Sequence, residues 1–239
     1  MTALAGRSAV VTGASRGIGA ATARALAAAG ARVALIARST NELEALAAEL
    51  GEGSAAIPAD LTETAGLDAA VAAVRDLLSD APDILVNNAG IFRVAPAGEM
   101  PFSVFRDTIE LNLVVPLRLI RSFLPGMLAR RSGHVVNLGS VADRHAFPGN
   151  TAYSASKFGL RGLHEVLRAE LRGSGVRTTL VSPGSVDTAL WDVVEAGSPP
   201  GTYTARRDML QPDAVAAAVL YAVTQPAEVT VEELRLRRT

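Results

Sequence analysis

Seven short apolar runs alternate with longer alanine- and leucine-rich segments along this 239-residue chain, and that alternation sets the fold class before any single residue is weighed. The runs fall at 8–12, 32–37, 55–59, 84–87, 134–138, 177–181 and 232–236, and most have no polar face. Between them, segments at about 17–29, 40–50, 63–79, 102–130, 152–172 and 212–224 repeat apolar residues at helical spacing and carry turn residues at their ends. Strands buried on both sides need helices on both sides. The pattern therefore predicts one α/β domain over residues 1–239, a doubly wound parallel sheet of seven strands with three helices on each face. In such sheets ligands bind beyond the carboxyl ends of the strands, where strand order reverses, so the chemistry is expected just after strands.

Composition narrows the partners. A net charge of −1 and a pI near 6.3 give no basic field for nucleic acid. The chain has no cysteine, so disulfides and thiolate chemistry are absent. His134, His145 and His164 are too dispersed to suggest a metal cluster. No basic-then-apolar leader opens the chain and no stretch of about 20 apolar residues is free of charge, which predicts a soluble, cytoplasmic protein without a membrane partner.

After the first run comes Thr12-Gly13-Ala14-Ser15-Arg16-Gly17-Ile18-Gly19, followed by an alanine-rich helix. A strand, a glycine turn and a helix start make a pyrophosphate site, because backbone N–H groups point at the anion and a Cβ would block it. The spacing is Gly-x3-Gly-x-Gly rather than Gly-x-Gly-x-x-Gly, so its context carries the reading. The second run ends Ala37-Arg38-Ser39. An acidic residue about 20 positions past the turn would hold a ribose 2′-OH, whereas arginine accommodates a 2′-phosphate. Arg38 and Ser39, with Arg16 from the turn, predict NADP(H). NAD(H) is the second choice, with Glu42 or Glu44 reading the ribose.

Lys157 is the single lysine of the chain; the other basic residues among the 23 are arginine. It stands four residues after Tyr153, one helical turn away on the same face. A cation near a phenol favours the phenolate, so Lys157 is expected to lower the Tyr153 pKa and make it a tunable acid/base.

Together with Asp60-Leu61, Asn87-Asn88-Ala89-Gly90, Asn112, Ser140 and Ser182-Pro183-Gly184 through Thr188, these motifs make the chain resemble the short-chain dehydrogenase/reductase family over its whole length. The resemblance implies a Rossmann-type fold and hydride transfer between a nicotinamide cofactor and a small-molecule carbonyl or alcohol. It implies that Ser140 binds the substrate oxygen, Tyr153 is the acid/base, Lys157 also holds the nicotinamide ribose, and Asn112 binds a water that relays protons. Asp60 and Leu61 would contact adenine, Asn87, Ala89 and Gly90 would line the adenosine ribose and stabilise the sheet centre, with a purely structural role as the other account of Asn87, and Pro183, Gly184, Val186 and Thr188 would contact the nicotinamide. The glycine-turn residues Gly13, Ser15, Arg16, Gly17, Ile18 and Gly19 would hold the pyrophosphate.

Substrate identity is less constrained. The segment 187–210, with Trp191, Tyr203 and a Ser198-Pro199-Pro200-Gly201 turn, is expected to form a lid. Arg93, Val141, Arg144, His145, Phe147 and Trp191 are candidates for the pocket. Arg93 or Arg144 either binds a substrate carboxylate or is a solvated loop arginine. The stretch 209–239 resembles a branch of the family acting on small hydroxy acids and related aldehydes. Apolar residues Leu111, Val114, Val115, Leu117, Leu163, Val166, Leu167 and Leu171 predict a homodimer or homotetramer, with core packing as the other account. Two further functional readings are a nucleotide sensor without turnover and a nucleotide-sugar epimerase or dehydratase. A complete Asn112, Ser140, Tyr153 and Lys157 set argues against the first, and the lack of room for a larger substrate domain argues against the second.

Overall fold

The computed structural model describes residues 2–78, 80–192, 194 and 203–239. Its centre is a parallel sheet of seven strands: β1 Ser8–Thr12, β2 Arg32–Ala37, β3 Ala55–Pro58, β4 Ile84–Asn87, β5 Gly133–Leu138, β6 Val176–Pro183 and β7 Glu233–Leu236. They lie in the order β3-β2-β1-β4-β5-β6-β7, so the strand order reverses between β1 and β4. Alternation along the strands supplies two cores. Ala9, Val11, Ile84, Val86, Val136 and Leu138 face helices α1 Gly17–Ala28, α2 Thr40–Leu50 and α7 Pro212–Val223. Val10, Leu85 and Val135 face α3 Thr64–Leu78, α5 Val115–Ala129 and α6 Thr151–Glu170. This is the predicted arrangement of three helices on each side, and it follows from period-2 strands whose residues are apolar in both registers.

One element departs from expectation. The helix predicted over 102–130 is broken into α4 Phe102–Ile109, a π-helical turn Glu110–Val114 and α5. The stretch Phe102–Ala129 is long and apolar enough to cross a membrane by length and composition. Here Leu119, Ile120, Phe123 and Met127 instead pack into the sheet. The π turn admits one extra residue, and its centre is Asn112, whose side chain bonds to a neighbouring loop rather than to the helix. Such bulges commonly mark functional positions.

Candidate active site

The carboxyl ends of the central strands open into one elongated cleft of about 590 Å³. The turn after β1 forms its floor. Gly13 and Gly17 hold left-handed backbone (φ +64° and +56°), and a Cβ on Gly13 would lie 2.9 Å from the Ala89 Cα. Both conditions favour glycine. Ser15, Arg16 and Ile18 also line the cleft. Gly19 is not on its surface; it lets α1 close on the turn, where a Cβ would meet the Gly13 carbonyl oxygen at 2.2 Å. Helix α1 starts behind Arg16, which makes no side-chain cap, and its first turn carries no acidic residue. Its N–H groups and positive dipole end are therefore available to an anion, which fits a pyrophosphate.

At the end of β2, Ala37, Arg38 and Ser39 reach the cleft. The Arg38 side chain is 73% exposed and its guanidinium stands 3.9 Å from Asp60 Oδ2. Asp60 Oδ1 accepts from the Thr62 hydroxyl (2.7 Å) and N–H (3.0 Å), and these bonds hold the carboxyl below the usual range. Leu61, Ala89 and Gly90 line the same wall. Asn87 does not: its amide donates to Asn137 Oδ1 (2.9 Å) inside the sheet, so it is an interior residue rather than a wall of the cleft. Its neighbour Asn88 takes that place. Asn88 Nδ2 donates to the Thr12 carbonyl (2.8 Å) and its N–H to Thr12 Oγ1 (3.0 Å), tying the end of β4 to the glycine turn. The sequence shows Asn88 only as part of a motif, with no role of its own.

The other end of the cleft gathers Ser140, Tyr153 and Lys157. Ser140 follows β5, where its Oγ accepts from the Ala142 N–H (3.1 Å) and opens a 3₁₀ turn, Val141–Asp143. Tyr153 and Lys157 project from the first two turns of α6. The Lys157 ammonium donates to the Leu138 carbonyl (2.7 Å) and lies 5.6 Å from the centroid of the Tyr153 ring. The expected drop in the Tyr153 pKa is not found. Burial pushes the phenol up to about 12, with the neighbouring Ser140 hydroxyl opposing and the Asp143 carboxylate adding to the rise. Burial likewise pulls Lys157 down to about 8 against Asp143. Desolvation disfavours both charged forms and is the largest effect on each. At neutral pH Tyr153 is therefore a protonated phenol, suited to donating a proton.

Asn112 lies behind this group, 1% exposed and off the cleft surface. Its Oδ1 accepts from the Ile91 N–H (2.9 Å), and its Nδ2 donates to the Ile91 carbonyl (3.0 Å) and to Ser156 Oγ (3.1 Å). Ser156 in turn donates to the Tyr153 carbonyl. The Asn112 side chain thus clamps the loop after β4 to α6. Asp143, which the sequence does not single out, is fully buried. It accepts from Ser182 Oγ (2.5 Å), the Ser140 N–H (3.4 Å) and Arg144 Nε (2.7 Å). Arg144 also pairs with Glu233 on β7 (2.5 Å) and does not line the cleft, which removes it from the pocket candidates. His145 is likewise outside, against Arg237.

Pro183 at the end of β6 and Gly184, Val186 and Thr188 after it line the cleft. Arg206 ties down the start of the segment after β6, donating to Asp187 Oδ1 (3.0 Å), the Thr188 carbonyl (2.7 Å) and Asp192 Oδ1 (2.6 Å). Trp191 and Tyr203 hang over the Tyr153 end. The Ser198-Pro199-Pro200-Gly201 turn lies outside the described residues. Among the described residues no His, Cys, Asp or Glu cluster could hold a metal.

A sequence model of the short chain dehydrogenase family matches residues 7–198. The chain is a member of that family. An uncharacterized oxidoreductase of Staphylococcus haemolyticus is 37% identical over 238 residues, covering 99% of both chains. A glycine betaine reductase of Emericella nidulans is 38% identical over 97% of this short-chain dehydrogenase, which spans 18% of that longer protein. Among solved structures, a metagenomic short-chain oxidoreductase in complex with NADP superposes with a TM-score of 0.84 at 35% identity, covering 99% of each chain. The alcohol dehydrogenase of Thermococcus sibiricus complexed with 5-hydroxy-NADP gives 0.86 at 33% identity, over 98% of this chain and 97% of that one.

Proposed function

We propose that this short-chain dehydrogenase is an NADP(H)-dependent oxidoreductase that interconverts a small-molecule carbonyl and its alcohol, with Tyr153 as the acid/base. The observation that carries the reading is that one cleft has an uncapped helix start beside Arg16, Arg38 and Ser39 at one end and the Ser140–Tyr153–Lys157 group at the other. Bound NADPH would supply a hydride, becoming NADP⁺, to the carbonyl carbon. Ser140 orients the carbonyl oxygen and Tyr153 gives it a proton, so that C=O becomes CH–OH. A phenol held protonated suits the reductive direction. Lys157, at the foot of Tyr153, binds the ribose hydroxyls as a compact ammonium. The adenine and nicotinamide contacts expected of Asp60, Leu61, Pro183, Gly184, Val186 and Thr188 are consistent with their places on the cleft wall. The choice of NADP over NAD rests on Arg38 and Ser39 and is supported by the NADP-bound structural relatives.

We also infer a homodimer or homotetramer in the cytoplasm. Val115, Leu167 and Leu171 belong to this chain's own core, but Leu117 and Val166 remain exposed on α5 and α6, as do Phe102 on α4 and Phe158 on α6.

The reading is tested by following NADPH oxidation against aldehydes, ketones and keto acids. Tyr153→Phe is expected to bind NADPH normally and lose about 10²–10⁴-fold in turnover; unchanged turnover would remove Tyr153 from the acid/base role. Arg38→Ala is expected to weaken NADPH binding far more than NADH binding, and equal losses would refute the 2′-phosphate assignment.

A further inference from the structure

Aromatic residues make up only 4% of this chain. Phe92, Phe147, Tyr153, Trp191 and Tyr203 nonetheless all line the one cleft. Four of them form a continuous row. Ring centroids are 4.7 Å apart for Phe92 and Tyr153, 5.2 Å for Phe92 and Trp191, and 5.5 Å for Trp191 and Tyr203, every pair edge-on or tilted. The row begins at the phenol that would face the reacting oxygen and ends at Tyr203, beyond β6. Phe92 itself is 5% exposed, fixed between its two neighbours. A carbonyl held at Ser140 and Tyr153 must lay its substituents against this row, and edge-on or offset contacts accept a further flat ring.

The next residue, Arg93, adds a charge. It is half-buried in the same cleft, where its Nη1 donates to the Phe92 carbonyl (2.8 Å), and no ion pair engages it among the described residues. Arg144, the other candidate for an anion, is held by Asp143 and Glu233. The carboxylate that does line the cleft among the described residues, Asp60, sits at the Arg38 end. Lys157 sits at the foot of Tyr153, so the reaction end combines a flat apolar wall with two cations, Lys157 and Arg93, and no facing anion among the described lining residues. A cationic substrate would gain from the aromatic faces but be repelled by Arg93.

Resting on the oxidoreductase reading above, we propose that the substrate is an aromatic keto acid, or the corresponding hydroxy acid, with its ring on the Phe92–Trp191–Tyr203 row and its carboxylate at Arg93. The small hydroxy acids suggested by the sequence alone would leave that wall uncovered.

The test compares kcat/KM for NADPH-dependent reduction of phenylglyoxylate, its methyl ester, pyruvate and a trimethylammonium aldehyde. Phenylglyoxylate is expected to exceed pyruvate by about tenfold or more, the worth of one good aromatic contact. Trp191→Ala should shrink that ratio, and Arg93→Gln should remove the preference for the acid over the ester. Equal or faster turnover of pyruvate or the ammonium aldehyde overturns the proposal, as does a ratio indifferent to Trp191→Ala. NADPH consumption with other carbonyls but not the aryl keto acid would sink this inference and leave the oxidoreductase reading standing. If no carbonyl is reduced, binding decides. Trp191 is the only tryptophan, so its emission in the NADP⁺-loaded protein reports occupancy of the row. Saturable quenching by phenylglyoxylate and not by pyruvate would uphold the ligand class while the oxidoreductase reading fails, and quenching by neither would refute it.

Discussion

Lys157 is 5% exposed, seated on a backbone carbonyl in a chain that uses arginine at every other basic position. Because burial brings its pKa down to about 8, the ammonium is present at pH 7 and is lost as pH rises through 8 toward 10. Cofactor affinity is therefore expected to decline over that range. Titrating NADPH at pH 7 and pH 9.5 checks this, and equal dissociation constants would show that Lys157 does not hold the cofactor. Lys157→Arg, which keeps its charge, should bind more weakly at pH 7 and lose the pH dependence, since a planar fork does not replace a compact ammonium. The identity of Lys157 and its spacing from Tyr153 are legible in the sequence. The direction in which burial shifts the pair is not, because solvent exclusion is set by residues from β5, the Ser140 loop and α6 together.

Between elements, the least foreseeable feature is the buried carboxylate of Asp143. It joins the loop after β5 to the end of β6 through Ser182, and through Arg144 to Glu233 on β7. Three strands are thereby locked at the end where Ser140 and the Pro183-Gly184 turn must face one another. Removing one partner of a buried ion pair leaves the other uncompensated, so Asp143→Ala is expected to cost about 3–5 kcal/mol in urea unfolding. Asp143→Asn keeps most of the hydrogen-bonding shape and should cost less. A loss under about 1 kcal/mol for the alanine variant would show that the network is not a structural lock. The π turn at Asn112 belongs to the same scale. The sequence presents an uninterrupted apolar stripe from 102 to 130, and only the loop that Asn112 grips makes a π turn there intelligible.

Across the whole molecule, a pH response is built into the sheet. His134, on β5, is 2% exposed, and Thr179 lies 2.7 Å from its Nε2. The Thr179 hydroxyl donates to the Val231 carbonyl, so Nε2 carries the proton toward Thr179. Nδ1 is buried without a partner. Burial, with Arg177 nearby, drives the His134 pKa down to about 3. The unfolded chain therefore binds a proton more readily between about pH 6.5 and 3, and stability present above 6.5 is lost as pH falls through that window. Between pH 6.5 and 4.5 the expected loss is about 2–3 kcal/mol. Urea unfolding at the two values should show a steeper fall for the wild type than for His134→Gln; matching slopes would refute the assignment.

Strand and helix alternation, the glycine turn, the Arg38-Ser39 strand end and the Tyr153/Lys157 spacing are local patterns, and local sterics and periodicity are enough to read them. The sequence by itself therefore determined the seven-stranded doubly wound sheet and the order in which cleft residues occur. What it left open depends on which side chains meet across the fold. Asn87 turned into the sheet and Asn88 into the cleft, because the pleat sends neighbours to opposite sides. Arg144 was removed from the pocket and Arg93 left in it by the position of Glu233 on the last strand. The aromatic row was assembled from Phe92 in the loop after β4, Tyr153 at the start of α6, and Trp191 and Tyr203 from beyond β6. Only the tertiary structure decided these, since burial and pairing are properties of packed neighbours distant in the chain.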